Sequence, residues 1–335
     1  MPVRTLCLVA ALLIISCITF IASTAVAAPK RDGQPVRIDL GGFKLNSILI
    51  EVDRTVDLPP IVFIHGASTS LYDPIFSFRA KLQGKAKLLF VDRPGHGNSD
   101  IGGERNILPD GQADAIAALM KKRGIAKAII VGHSFGGAIA ASFAVRHPDM
   151  VSGLVFLSPA VYPWNGGIAW YYETASAPVT GPLFSTLIAP PIGLLAINRA
   201  TTGVFAPNPV PSGYIARTHA LQALRPVAFR HNAREVAALS DWAKTASASY
   251  RKIKAPTVII TGDTDDIVSP EVHSWRLARD IPGARLIIVH NLGHKSDLVA
   301  NDLAIAAIEA VAGHQSNLAG VKRDIERRIA RDGKD

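Results

Sequence analysis

The stretch Val131-Gly132-His133-Ser134-Phe135-Gly136-Gly137 decides how this chain is read. It closes an apolar run, Ala126 to Val131, and opens a small-residue segment of helical spacing, Ala138 to Arg146. Ser134 therefore falls where a strand turns sharply into a helix. Glycines two positions before and two after it let strand and helix approach closely and tolerate strained backbone angles, so the serine hydroxyl is pushed out of the fold. G-x-S-x-G is a short pattern, and its weight comes from what surrounds it.

Outward from that stretch, short apolar runs alternate with segments of helical spacing. Val36 to Asp53 reads as a hairpin turning at Gly41-Gly42, and Ile61 to Ile64 as a strand ending at His65-Gly66. Helical spacing follows at Ile75 to Leu82. A strand at Lys87 to Val91 leads into Asp92-Arg93-Pro94-Gly95-His96-Gly97-Asn98-Ser99, and a helix near Gly111 to Arg123 precedes the serine turn. After the strand Gly153 to Leu157 the alternation stops. From Pro159 to about Arg251 there is no strand signal, and prolines and apolar stretches such as Pro182 to Ile197 dominate. The pattern resumes with strands at Thr257 to Thr261 and Arg285 to Val289, and helices near Pro270 to Arg279 and Asp297 to Val311. Such alternation predicts an α/β fold, a doubly wound and mostly parallel sheet, with functional loops at the carboxyl ends of the strands. The expected division is a domain over residues 36–313, a helical cap inserted at about 159–251, and a charged tail over 314–335.

A serine hydroxyl is a poor nucleophile until a base takes its proton, and the base needs a carboxylate to orient it. Two later loops supply both residue types at the predicted carboxyl edge of the sheet. Gly262-Asp263-Thr264-Asp265-Asp266-Ile267-Val268 follows one strand, and Gly293-His294 follows the next. The chain order is Ser, Asp, His, with Asp263 and Asp266 as rivals to Asp265.

With these residues the chain resembles the α/β-hydrolases, a large group that includes esterases, lipases, peptidases, cofactor-free haloperoxidases and C–C bond hydrolases. The resemblance spans roughly residues 36–313 and rests on four ordered motifs: His65-Gly66, the Asp92 to Ser99 loop, the serine turn, and the late Asp and His loops. It implies Ser134 as nucleophile, Asp265 as acid through a Gly-x-x-Asp-x-x-Val pattern, and His294 as base. It also implies an oxyanion hole formed by the backbone N–H groups of Ala67 and Phe135. Cleavage of a carboxylic ester through an acyl-enzyme is the implied reaction, with a lipophilic acyl group and no cofactor or metal. Perhydrolysis or haloperoxidation, peptide cleavage and C–C cleavage are alternatives on the same fold, and a non-catalytic ligand-binding protein is an alternative of another class. Asp92 and Arg93 read as a brace for their glycine-rich loop. Trp164, Trp170, Tyr171 and Tyr172 read equally as lining for an acyl pocket or as the insertion's own core.

The chain has 335 residues, 48% of them apolar and 19% charged, enough for one large domain with an insertion. Residues 5–29 lack any charge and end in Ala25-Val26-Ala27-Ala28, a signal-peptidase-like site. Residues 1–27 are thus expected to be a cleaved leader of an exported protein, or an anchor in which residues 6–26 cross a bilayer. Cys17, after Ile14-Ile15-Ser16, adds a loose lipobox as a third reading. Both cysteines, Cys7 and Cys17, lie in this segment, so thiol chemistry is excluded from the body. The net charge is +9, partly from Val321 to Asp335, where six Lys or Arg mix with four acids as on a solvated helix face. No basic run interleaved with aromatics points to nucleic acid. The expected partner is a small ester or acyl substrate, with membrane association through the N-terminal segment.

Overall fold

A computed structural model describes residues 32–52 and 55–332; the leader expected at 1–27 lies outside the described residues. Eight strands form one sheet in the order β1-β2-β4-β3-β5-β6-β7-β8. They are β1 (Pro35–Asp39), β2 (Lys44–Ile50), β3 (Ile61–Ile64), β4 (Leu88–Val91), β5 (Ala128–His133), β6 (Val151–Leu157), β7 (Thr257–Gly262) and β8 (Arg285–Val289). The first two form the antiparallel hairpin, β2 pairs antiparallel with β4, and every later pairing is parallel.

Strands β3 to β7 are apolar nearly throughout because both faces of the sheet are covered. Alternate residues supply two cores. Val62, Ile64, Leu89, Val91, Ile130 and Phe156 pack on one side. Ile61, Phe63, Leu88, Phe90, Ile129 and Val155 pack on the other. The first face is covered by helices α2 (Pro109–Lys122) and α3 (Phe135–Arg146), and the second by α1 (Tyr72–Leu82) and Asn301–Val311. The helix expected at Asp297 to Val311 is split, with Ser296–Val299 forming a separate turn before Asn301–Val311.

Between β6 and β7 the described residues form helices and no strand. Helix α4 (Trp170–Ser176) is followed by α5, a continuous helix over Thr180–Phe205 with a π-turn at Phe184–Ile188, and then by α6 (Pro226–Ala246). The charged C-terminal segment forms a helix, Leu318–Asp332, which buries Leu318, Ile325 and Ile329 while its charged residues face outward. Spacing by four on one side and charge on the other makes it a surface helix held by a narrow apolar stripe.

Candidate active site

Parallel register brings the carboxyl ends of β5, β6 and β7 level, with His133 opposite Leu157 and Leu157 opposite Ile260. Ser134 follows β5 directly and sits at φ 53°, ψ −120°, a conformation that costs a non-glycine residue on the order of 1–3 kcal/mol. Its surroundings over-determine that shape. The Ser134 N–H donates to Leu157 O at 3.0 Å, while Ser134 O accepts from Gly137 N at 2.9 Å and from Ala160 N at 3.1 Å. The glycines of the motif are needed for close approach. A Cβ on Gly132 would stand 2.4 Å from Gly136 O, and one on Gly136 would stand 2.3 Å from Ile64 O.

Asp265 and His294 come together in the loops after β7 and β8. Nδ1 of His294 lies 2.9 Å from Asp265 Oδ2, with both residues buried. The other carboxylate oxygen, Oδ1, accepts from the N–H groups of Ile267 at 3.0 Å and Val268 at 2.9 Å. Burial pushes the Asp265 carboxyl up, but His294 and those two N–H groups outweigh it and hold it below the ordinary carboxylate range. An ionised carboxylate only accepts, so His294 Nδ1 carries its hydrogen, and in the neutral imidazole Nε2 is the nitrogen with the lone pair. The His294 backbone is tied to the serine turn through His133, whose ring lies against that of His294. The His133 Nε2–H donates to His294 O at 3.0 Å, and the two imidazole centroids are 4.9 Å apart. Burial, reinforced by Lys295, keeps His133 neutral by lowering its pKa well below the usual value.

Asp263 and Asp266 stay apart from His294. Asp263 accepts from Asn291 N at 2.7 Å and meets His290 Nδ1 at 2.7 Å, tying the loop after β7 to the end of β8. Asp266 is exposed.

The loop after β3 carries Gly66 and Ala67 to the serine. A Cβ placed on Gly66 would lie 3.1 Å from Ser134 Cβ and 3.2 Å from His133 Nδ1, so the 66–67 backbone runs against the turn. Phe135 begins α3, where the helix dipole presents partial positive charge. The Gly66 carbonyl is turned away by three donors: His65 Nδ1 at 2.8 Å, Arg93 Nη2 at 3.1 Å and Thr69 Oγ1 at 3.3 Å. His65 is thereby a loop brace, its Nε2 accepting from Arg93 N at 3.1 Å.

Arg93 is itself part of a fully buried charge network. Its Nη1 lies 3.1 Å from both oxygens of Glu235 and 2.8 Å from Gln112 Oε1, and its guanidinium stacks 4.6 Å from the Phe135 ring centre. Glu235 also meets His96 Nε2 at 2.7 Å and accepts from Gln112 Nε2 at 2.7 Å. Burial raises the Glu235 carboxyl, yet Arg93 and His96 overcome this and hold it well below its ordinary pKa. Burial together with Arg93 lowers His96 to about 4, against the opposing pull of Glu235. Asp92 braces the same loop from the other side, accepting from Asn46 Nδ2 at 2.7 Å, Leu71 N at 2.8 Å and Asn98 N at 2.9 Å.

Sequence reasoning missed Glu235, because its partner Arg93 lies far away in the chain and a lone glutamate in a helical segment reads as solvated. It also missed the inserted helices' grip on the loop: Ser68 N donates to Asn232 Oδ1 at 2.8 Å, and Ser68 Oγ bonds Tyr172 OH at 2.8 Å. Lys295, next to His294, was equally unmarked. This lysine is fully buried, with Nζ 2.8 Å from Asp73 Oδ2 and 3.0 Å from Asp297 Oδ2, and Tyr214 OH donates to Asp73 Oδ1 at 2.6 Å. Burial works against its charge, but the two aspartates prevail and hold the ammonium pKa well above normal. Asp73, His133 and Asp297 converge within 4.8 Å like metal ligands, yet Lys295 already supplies the cation there.

A mostly parallel sheet with a strained serine after one strand and an Asp–His pair after two later ones defines a hydrolase of the α/β type. The chain belongs to that family: residues 59–298 match the family model described as alpha/beta hydrolase fold. It is 25% identical over 283 residues to 2-(acetamidomethylene)succinate hydrolase of Mesorhizobium japonicum, covering 81% of this chain and 92% of that one. It is also 25% identical over 247 residues to Lipase 3 of a Moraxella species, covering 70% and 71% of the two chains. Among solved structures it is similar to a hydrolase from Pseudomonas aeruginosa, with a TM-score of 0.66 at 20% identity over 84% of this chain and 99% of that one. The enol-lactonase of Burkholderia xenovorans gives a TM-score of 0.64 at 21% identity, over 83% and 100%.

Proposed function

We propose that this hydrolase cleaves carboxylic esters through an acyl-enzyme on Ser134, with His294 as base and Asp265 as its orienting acid. The observation that carries the reading is the 2.9 Å contact between His294 Nδ1 and Asp265 Oδ2, in a residue whose backbone carbonyl is bonded to His133, the residue preceding the strained serine. It leaves the Nε2 lone pair free to take the serine proton.

Ser134 Oγ attacks the ester carbonyl carbon as its proton passes to His294 Nε2, and Asp265 stabilises the imidazolium. The carbonyl π pair moves onto oxygen, where the Ala67 and Phe135 N–H groups receive it; a donor of this kind is worth about 3 kcal/mol in the transition state. Collapse expels the alcohol, which takes the proton back from His294. Water then repeats the sequence with the acyl-enzyme, releasing the acid and restoring Ser134. Arg93 and His65 keep the Gly66 carbonyl turned away, which favours the Ala67 N–H facing the developing charge.

Lipophilic acyl esters are the proposed substrate class, supported by the similarity to a lipase. The protein is proposed to be exported or held at a membrane by residues 6–26; an amino terminus at Ala28 in the mature protein checks cleavage. The functional test is labelling by a fluorophosphonate probe with hydrolysis of p-nitrophenyl esters of graded chain length, beside lactone and amide controls. Wild type should label and turn over esters fastest. Ser134→Ala should do neither, losing about 10⁴-fold or more in kcat with an unchanged melting temperature. A folded wild type that the probe does not label overturns the mechanism, and faster cleavage of amides or lactones overturns the substrate class.

A further inference from the structure

Helix α5 is amphipathic the wrong way round for a helix of a water-soluble surface. Its inward stripe, stepping by four residues, is small: Gly181, Ser185 and Ala189 are buried, and Thr201 continues the stripe. Close approach explains the choice, since a Cβ on Gly181 would stand 2.3 Å from Ala175 O and one on Gly193 would stand 2.4 Å from Leu224 Cδ2. Phe205 closes that stripe as a large buried residue, while the leucines of the helix and Ile192 point outward. Leu183 is 65% exposed, Leu187 63%, Ile192 51% and Leu195 88%. Trp170, at 62% exposure, stacks edge-on against Phe184 at the start of the same face. From residue 174 to 198 the chain has no charged residue. A soluble surface rarely leaves so long an apolar face uncovered.

We infer that this outward face of α5 docks on the surface of a lipid bilayer carrying anionic lipid. Length and composition would let the helix cross a membrane. Its small-residue stripe instead keeps it against the body, so the helix lies in the interface plane with its leucines in the acyl region. Charge selects the lipid: Arg199 and Arg217 are exposed in the inserted segment, and between residues 158 and 233 the chain carries one acid, Glu173. Arg199 is exposed on α5 itself, and Trp170 is the amphipathic ring that headgroup regions favour. The sequence of residues 5–29, read as leader or anchor, brings the same chain to a membrane by a separate route.

The test uses full-length protein with Leu195→Trp and vesicles of phosphatidylcholine and phosphatidylglycerol whose acyl chains are brominated. Quenching in excess of wild type reports the depth of position 195, independent of hydrolysis and of whether residues 6–26 also bind. The excess should be clear with phosphatidylglycerol, weaker in pure phosphatidylcholine, and absent for Ala330→Trp on the C-terminal helix. Adding Leu187→Glu to Leu195→Trp should weaken docking on the order of tenfold while circular dichroism and melting temperature stay unchanged. Ser134→Ala should dock as wild type does, so a failure of the proposed chemistry leaves this result standing. Absence of quenching at position 195 overturns the inference. So would concentration-dependent dimers that Leu187→Glu disperses without any lipid quenching, since a second copy would then cover the face. A face shielded by residues 6–26 would likewise give no quenching.

Discussion

Replacing Glu235 by Gln tests the buried network that connects the inserted helices to the serine site. The substitution keeps side-chain volume and removes one negative charge from a residue with no solvent exposure. Arg93, equally buried, would retain the neutral partners Gln112 Oε1 at 2.8 Å, Gly66 O at 3.1 Å and His96 Nε2 at 3.0 Å, besides the new amide oxygen, and no carboxylate in contact. Stranding one partner of a buried ion pair costs about 3–5 kcal/mol. Against a typical total of about 5–15 kcal/mol that is a large loss, and for a body of this size it lowers the melting temperature by about 5–8 °C. Urea unfolding followed by circular dichroism gives the free energy, and p-nitrophenyl ester turnover reports the Gly66 loop. Because the cost lies in the uncompensated charge, Arg93→Met combined with Glu235→Leu should be more stable than Glu235→Leu alone. Its turnover should still be low, since Arg93 no longer holds Gly66 O. A Glu235→Gln protein within about 1 kcal/mol of wild type, or a double variant as unstable as the sum of the singles, refutes the assignment of the energy to the buried charge pair.

Asp265→Asn should lower kcat by about 10⁴-fold with little change in KM, because an amide facing Nδ1 favours the wrong imidazole tautomer; steady-state kinetics checks it. Gly66→Ala should cut ester turnover more than it cuts stability, since the new methyl meets Ser134 Cβ at 3.1 Å; kcat and melting temperature measured together separate the two effects. Lys295→Met leaves Asp73 and Asp297 buried without their cation and should cost about 3–5 kcal/mol, read by urea denaturation. His96 and His273 are both lowered to about 4 by burial, so unfolding lets each take up a proton that the folded state refuses. Their stabilising contribution is complete above the unfolded histidine value of about 6.5 and drains away as pH falls toward 4, up to about 3 kcal/mol each. Denaturation midpoints from pH 7 to 4 should therefore decline, and less steeply in His96→Asn.

The serine turn was legible because its chemistry is local. Strand, glycine spacing and helix occupy consecutive residues, and the close approach of Gly132 to Gly136 lies within one motif. Runs such as Ile61–Ile64 and Leu88–Val91 announced a sheet covered on both faces, since such strands are apolar at every position. The order of Ser134, Asp265 and His294 was equally visible, each in a loop at a strand's carboxyl end.

Partnership across the chain was not legible. Three aspartates lie within four residues of one another; the family pattern singled out Asp265, and the folded loop supplies the reason, with Asp265 facing His294 while Asp263 turns to His290. Glu235 and Lys295 look like ordinary surface charges in sequence, because their counter-charges, Arg93 and Asp73, arrive from distant segments. In sequence, Pro182 to Ile197 is only an apolar stretch, and the fold decides that its leucines face outward. Local propensity and spacing thus determined the elements and the nucleophile's position. Which charges are buried, which carboxylate meets the histidine and which apolar face stays open are decided by contacts between segments far apart in sequence, and only the tertiary fold brings those segments together.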